Sequence, residues 1–255
     1  RRTYLISTLM GWAFAAQLLP LLLFLYTAEA LSGQFVGAMC ATGVLNVNAW
    51  GWPTLFLKIA IFFSGATWLT LNRLDNRGYD YPLVRVKYAA LLLLTPLVIA
   101  EFFVQLRYFS DMAPDVITSC CGALFSEDSE GVAADVAGLS PKTALLGLIV
   151  TGIAVILAGL GHGRYRASGG VFALASVTAF VMALVAIVSL IALYVYEHPH
   201  HHCPFCLLKA GHGFVGYALY IPLFLGTAAA LAAAVVAHWC QIPSLAEAIG
   251  QLRRR

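Results

Sequence analysis

At 255 residues, 61% hydrophobic and only 11% charged, with a mean hydropathy of +0.84, the chain carries more apolar surface than a soluble domain of its size can bury. A water-soluble fold is excluded and an integral membrane protein is predicted. The formal net charge of +3 comes from short clusters beside the apolar runs and forms no basic stripe, so the expected partner is the lipid bilayer and not nucleic acid.

Each apolar run is long enough to cross roughly 30 Å of hydrocarbon at 1.5 Å per residue, where only a helix satisfies the backbone. The predicted fold class is an all-α polytopic membrane helix bundle, a single transmembrane domain with about six transmembrane helices. The first span runs from about Tyr4 to Tyr26 and contains Pro20. It lacks a small-residue cleavage site and reads as a retained helix. A glycine-rich connector, about 29–52, carries Cys40. The second span runs from near Pro53 to near Arg73, and the third from about Val86 to Phe109. An acidic connector, about 110–142, holds Cys120 and Cys121. The fourth and fifth spans cover about Thr143 to Leu160 and Val171 to Tyr196. A connector at about 197–212 precedes the last span, about Gly213 to Trp239.

Arginine and lysine mark alternate ends of these spans: Arg1 and Arg2, then Arg73, Arg77, Arg85 and Lys87, then Arg164 and Arg166, then Arg253 to Arg255. Positive charge stays on the cytoplasmic side, so both termini are expected there, in an inner (cytoplasmic) membrane. Cys40, Cys120, Cys121, Cys203 and Cys206 then share the outer, oxidising side, and Cys240 lies near the inner one.

The 197–212 connector holds the densest chemistry, His198-Pro-His200-His201-His202-Cys203-Pro-Phe-Cys206-Leu-Leu-Lys209. A C-x-x-C opening a helix gains from the unpaired N–H groups and the positive end of the dipole, which lower the thiol pKa. Cys203 is the expected exposed, attacking thiol, with Cys206 resolving it and the neighbouring histidines and Lys209 favouring the thiolate. The same stretch offers His198, His200, His201, His202, Cys203 and Cys206 as ligands for copper or zinc. Adjacent cysteines close only a strained ring, so Cys120 or Cys121 is expected to pair elsewhere, and Cys40 is available to it. Five outer cysteines are an odd number, which leaves one thiol in exchange, spare, or bonded to another molecule. Inside the spans, Lys58 and Glu101 fall at similar depth, to meet as an ion pair or to line a polar pocket for a quinone headgroup or a proton path.

Cys203-Pro-Phe-Cys206-Leu-Leu-Lys209, followed by an apolar span, resembles the membrane thiol to quinone oxidoreductases, namely the bacterial disulfide-bond-forming quinone reductases and the vitamin K epoxide reductase family. The resemblance implies Cys203 and Cys206 as the quinone-proximal pair, Lys209 as a basic residue near the quinone, and Cys120 or Cys121 as shuttle cysteines. The leading expectation is a thiol-disulfide oxidoreductase that takes electrons from an outer-face thiol protein through Cys120, Cys121 or Cys40 and passes them to a quinone-like acceptor. The alternatives are a metal-handling membrane protein that uses the outer histidines and cysteines, and a non-catalytic, disulfide-stapled subunit of a membrane complex.

Overall fold

A computed structural model describes residues 2–113, 117, 132–164, 169–198 and 201–247. Cys120, Cys121, His200 and most of the acidic connector lie outside the described residues. The described elements are helical, and six helices are long and apolar enough to cross a membrane. The chain is a multi-pass membrane protein by this measure.

The first span is two helices, α1 (Arg2–Ala16) and α2 (Pro20–Ala30), continued by a 3-10 turn at Leu31–Gln34. Pro20 has no N–H to return to Ala16 and its ring crowds that carbonyl, so the chain between the helices tightens to i to i−3 bonds, Leu18 to Ala15 and Leu19 to Ala16. The apolar segment persists to Gln34. Glu29, expected to open the following connector, is therefore still helical. That connector is also more ordered than its glycines imply, because it holds a one-turn helix, α3 (Ala41–Leu45), every residue of which is buried.

The second and third spans are α4 (Gly51–Asp75) and α5 (Val84–Ser110). Between them Asp75 Oδ1 accepts the Leu83 N–H at 2.7 Å, and Asp75 Oδ2 lies 2.5 Å from Lys87 Nζ. Lys87 also donates to Ser7 Oγ at 2.9 Å and Asn72 Oδ1 at 3.3 Å. It is 1% exposed, so it joins α1, α4 and α5 and is not the headgroup-facing cation assumed in the charge pattern.

A short helix, α6 (Val132–Ala137), leads to α7 (Pro141–Arg164). The fifth span is α8 (Gly169–Ala186), a π-helical stretch at Ile187–Ile191, and α9 (Ala192–Tyr196). The last span is α10 (Val215–Trp239). The spans pack in the order α5, α4, α10, α8, α7, with α1 and α2 laid on α4. Four phenylalanines knit the middle: Phe63 stacks on Phe224 with centroids 5.4 Å apart, Phe180 meets both rings edge-on at 5.0 Å, and Phe62 meets Phe224 at 5.5 Å. Such aromatic pairs supply dispersion and shape where lipid removes the hydrophobic drive between helices.

Within this frame Lys58 and Glu101 form the expected ion pair, at 2.6 Å between α4 and α5, with side chains 4% and 5% exposed. Lys58 Nζ also lies 5.4 Å from the centre of the Phe24 ring, so the buried cation has a partner on each side.

A buried three-cysteine site

At one end of the bundle α2, α3, the start of α4 and the segment 201–214 close over a small core. Tyr108, at the end of α5 and fully buried, donates its hydroxyl to the Val44 carbonyl at 3.0 Å, while Asn48 Nδ2 donates to the Tyr108 carbonyl at 3.0 Å. The pair of bonds fastens α3 to the third span. Gly51 lets α4 start against it, since a Cβ there would lie 2.2 Å from the Leu45 carbonyl oxygen.

Cys40 precedes α3, and its sulfur meets Cys203 Sγ at 3.4 Å. Thr42 Oγ1 lies 3.2 Å from the same Cys203 sulfur. With Cys206 these sulfurs form one group, all within 4.8 Å of one another. Cys40 and Cys203 are 0% exposed and Cys206 5%, and no disulfide joins the described cysteines to one another. The structure thus brings Cys40, Cys203 and Cys206 together. Cys240 is far along the chain at the end of α10, with its Sγ–H directed to the Ala237 carbonyl at 3.1 Å.

Two expectations are corrected. Cys203 is not an exposed thiol; it is sealed under α3 and the end of the fifth span. Nor does the C-x-x-C open the last membrane helix. Cys206–Leu208 is a 3-10 turn, a second turn follows at Ala210–His212, and α10 begins only at Val215. Gly213 and Phe214 take left-handed φ values of 64° and 55°, which interrupt the helix before it can extend back to Cys203. The last membrane helix therefore does not start at Cys203 or Cys206, and of the three thiols only Cys40 stands at an α-helix N-terminus, that of the one-turn α3.

The loop is held from several directions. Tyr196 donates its hydroxyl to the Cys203 carbonyl at 2.5 Å, and Tyr220 of α10 donates to the Pro204 carbonyl at 3.0 Å. His202 Nδ1 lies 3.0 Å from the Val188 carbonyl in the π-helical stretch, a place where the i to i−4 ladder is broken. The Tyr196 ring packs against His201 at 4.2 Å and His212 at 4.5 Å. Neither His201 nor His202 joins the sulfur group. His198 is exposed at the far end of the loop.

Glu29, which sequence reasoning passed over, ties the two thiol-bearing segments together. Its Oε2 accepts the Ala41 N–H at 2.8 Å, and its Oε1 pairs with Lys209 Nζ at 3.0 Å. Lys209 also donates to the Met39 carbonyl. Burial draws the Lys209 pKa down, but the hydrogen bond and charge of Glu29, with negative charge at Cys206 and Cys40, outweigh it and hold the ammonium above its ordinary value. An acid at the end of an apolar run is the signal that marked Glu29.

Beside the site an apolar cavity of about 450 Å³ lies between the first and last spans. Leu25, Glu29, Phe62, Leu208, Tyr217 and Tyr220 are among its walls, and it is bordered by neither Lys58 nor Glu101. Those two residues are brought to each other and not to the cysteines.

No protein-family model, curated protein or solved structure matches this chain.

Proposed function

We propose that the protein is a metal-handling membrane protein whose Cys40, Cys203 and Cys206 hold a soft, thiophilic ion, copper(I) by preference, at the outer side of an inner membrane. The observation that carries this reading is the convergence of three buried sulfurs within 4.8 Å. Three sulfurs placed about 2.3 Å from one ion in a plane stand about 4 Å apart, a spacing the 3.4 Å Cys40 to Cys203 separation nearly meets. Thiolate ligands select copper(I), and among the described residues the group consists of three sulfurs, a set that suits copper(I) where structural zinc sites close with four donors. When bound, the ion requires three deprotonated thiols, and the Lys209 ammonium offsets part of their charge. Outer placement follows from the alternation of basic residues, from which Lys87 is subtracted.

Anaerobic copper(I) titration against a competing chelator tests this. One ion per chain is expected, lost in Cys40→Ser and retained in His201→Ala. No competition by the wild-type chain would sink the proposal.

A second reading, thiol-disulfide exchange, is favoured by the 3.4 Å approach of Cys40 to Cys203 with Cys206 in the same group, and by the adjoining cavity. Two thiols would become one disulfide, and their two electrons and two protons would pass to a lipid-borne quinone-like acceptor in that cavity. This reading predicts that a short-chain quinone added to the reduced protein oxidises one thiol pair per quinol formed.

A further inference from the structure

Cys40 is gripped on both of its peptide sides. The carbonyl of Met39 before it accepts from Lys209 Nζ, and the N–H of Ala41 after it donates to Glu29 Oε2 at 2.8 Å. The two gripping side chains are themselves joined at 3.0 Å. Between those holds the Cys40 backbone is fully extended, with φ −161° and ψ −179°, and its side chain is 0% exposed. Glu29 and Lys209 are not buried with it, since their side chains are 25% and 33% exposed. Three segments therefore meet at one partly exposed pair: the end of α2, the stretch on both sides of Cys40, and the turn that carries Cys206.

We propose that Glu29 and Lys209 are the positioning residues of the three-cysteine site, a two-residue clamp that presses the Cys40 strand against Cys203 and opens the site when it is released. The roles are not interchangeable. Glu29 works as an acceptor for a backbone N–H, and Lys209 works as a donor to a backbone carbonyl. A clamp of this kind differs from a plain ion pair. Exchanging the charges restores the Coulomb attraction but leaves Ala41 N–H without an acceptor and Met39 carbonyl without a donor. A bare surface pair contributes little by comparison.

The decisive experiment follows alkylation of individual cysteines by a water-soluble maleimide in native membranes, read by peptide mass spectrometry. The expected result is at least tenfold faster modification of Cys40 in Glu29→Ala and Lys209→Ala than in the wild type. Lys209→Arg and Glu29→Gln, which keep the donor and the acceptor, should stay close to wild type. The exchanged pair Glu29→Lys with Lys209→Glu should label as fast as the alanine variants. Equal labelling of Cys40 in the wild type and both alanine variants would overturn the clamp. So would a parallel rise at Cys240, because the loss of protection would then be general, and so would full rescue by the exchanged pair. Labelling requires no metal, so this arm stands apart from the copper reading. A second arm rests on that reading: Lys209→Ala should weaken copper(I) about tenfold at unchanged stoichiometry. Absence of binding by the wild-type chain would defeat the copper reading and leave the clamp in place.

Discussion

Cys40 Sγ stands 3.4 Å from Cys203 Sγ although 163 positions separate the two residues. The approach is made by α3, which Tyr108 and Gly51 hold in place, and by a loop that Tyr196 and Tyr220 hold from the other side. In Cys206→Ser the 40–203 pair is the close couple left among the described cysteines, so mild oxidation should join these two sulfurs. Non-reducing peptide mapping is expected to recover the peptide pair containing both, and recovery of the two peptides only as separate thiols would show that the sulfurs do not meet.

The Lys58 to Glu101 pair is buried inside two membrane helices. Removing one partner leaves the other charged and unpaired, at a cost of about 3–5 kcal/mol, while replacing both with apolar residues of similar size is near neutral. Unfolding in detergent should therefore show Glu101→Leu strongly destabilised and the double variant Lys58→Met with Glu101→Leu restored to within about 1 kcal/mol of the parent. Equal losses in the single and double variants would contradict the pairing.

Gly216 sits where α10 passes behind the thiol loop. A Cβ there would lie 2.8 Å from Leu208 Cδ2 and 3.0 Å from the Leu207 carbonyl carbon and oxygen. Leu207 is fully buried, so the turn has no free space to yield into. Gly216→Ala is expected to lower stability by about 1–3 kcal/mol and to displace Cys206 from the sulfur group, which copper(I) titration would register as weaker binding. Wild-type affinity in this variant would show that the turn absorbs the methyl group.

Lys209 binds its proton more tightly in the folded chain than in the unfolded one. Its contribution is therefore fully present below the usual lysine pKa of about 10.4 and is lost as pH rises through the raised folded value. The difference in melting temperature between wild type and Lys209→Met should be flat from neutral to mildly alkaline pH and shrink only beyond the lysine range. A difference that already falls near neutrality would point to another titrating group.

The spans were legible because lipid imposes a simple requirement, a long apolar run with an internally satisfied backbone, and each such run stands out in the sequence. Their ends were less so. Asp75 and Lys87 extend the polar turn into buried structure, and the apolar first helix runs on past Glu29. Charge alternation grouped Cys40, Cys203 and Cys206 on one side, yet the triad itself depends on α3 folding back, which local pattern does not encode. The last span does start near Gly213, at Val215, but the C-x-x-C does not open it, for a readable reason: the glycines at 211 and 213 signal a break, and the left-handed Gly213 and Phe214 make it. His201 and His202 illustrate a different difficulty, since a run of histidines advertises metal ligation while Tyr196 and Val188 engage two of them.

The π-helical stretch at Ile187–Ile191 inserts one residue's worth of rotation into the fifth span. A regular helix advances about 100° per residue, so removing a single residue from the stretch would swing Tyr196 about that far from the Cys203 carbonyl it now binds at 2.5 Å. The span is apolar around its circumference, with exposed Val171, Leu174, Val177 and Val181, and lipid is indifferent to which side it presents. Its angular phase is fixed by protein contacts at two levels, Phe180 against Phe63 and Phe224 and Tyr196 on the thiol loop, and the length of helix between them is thereby counted to the residue.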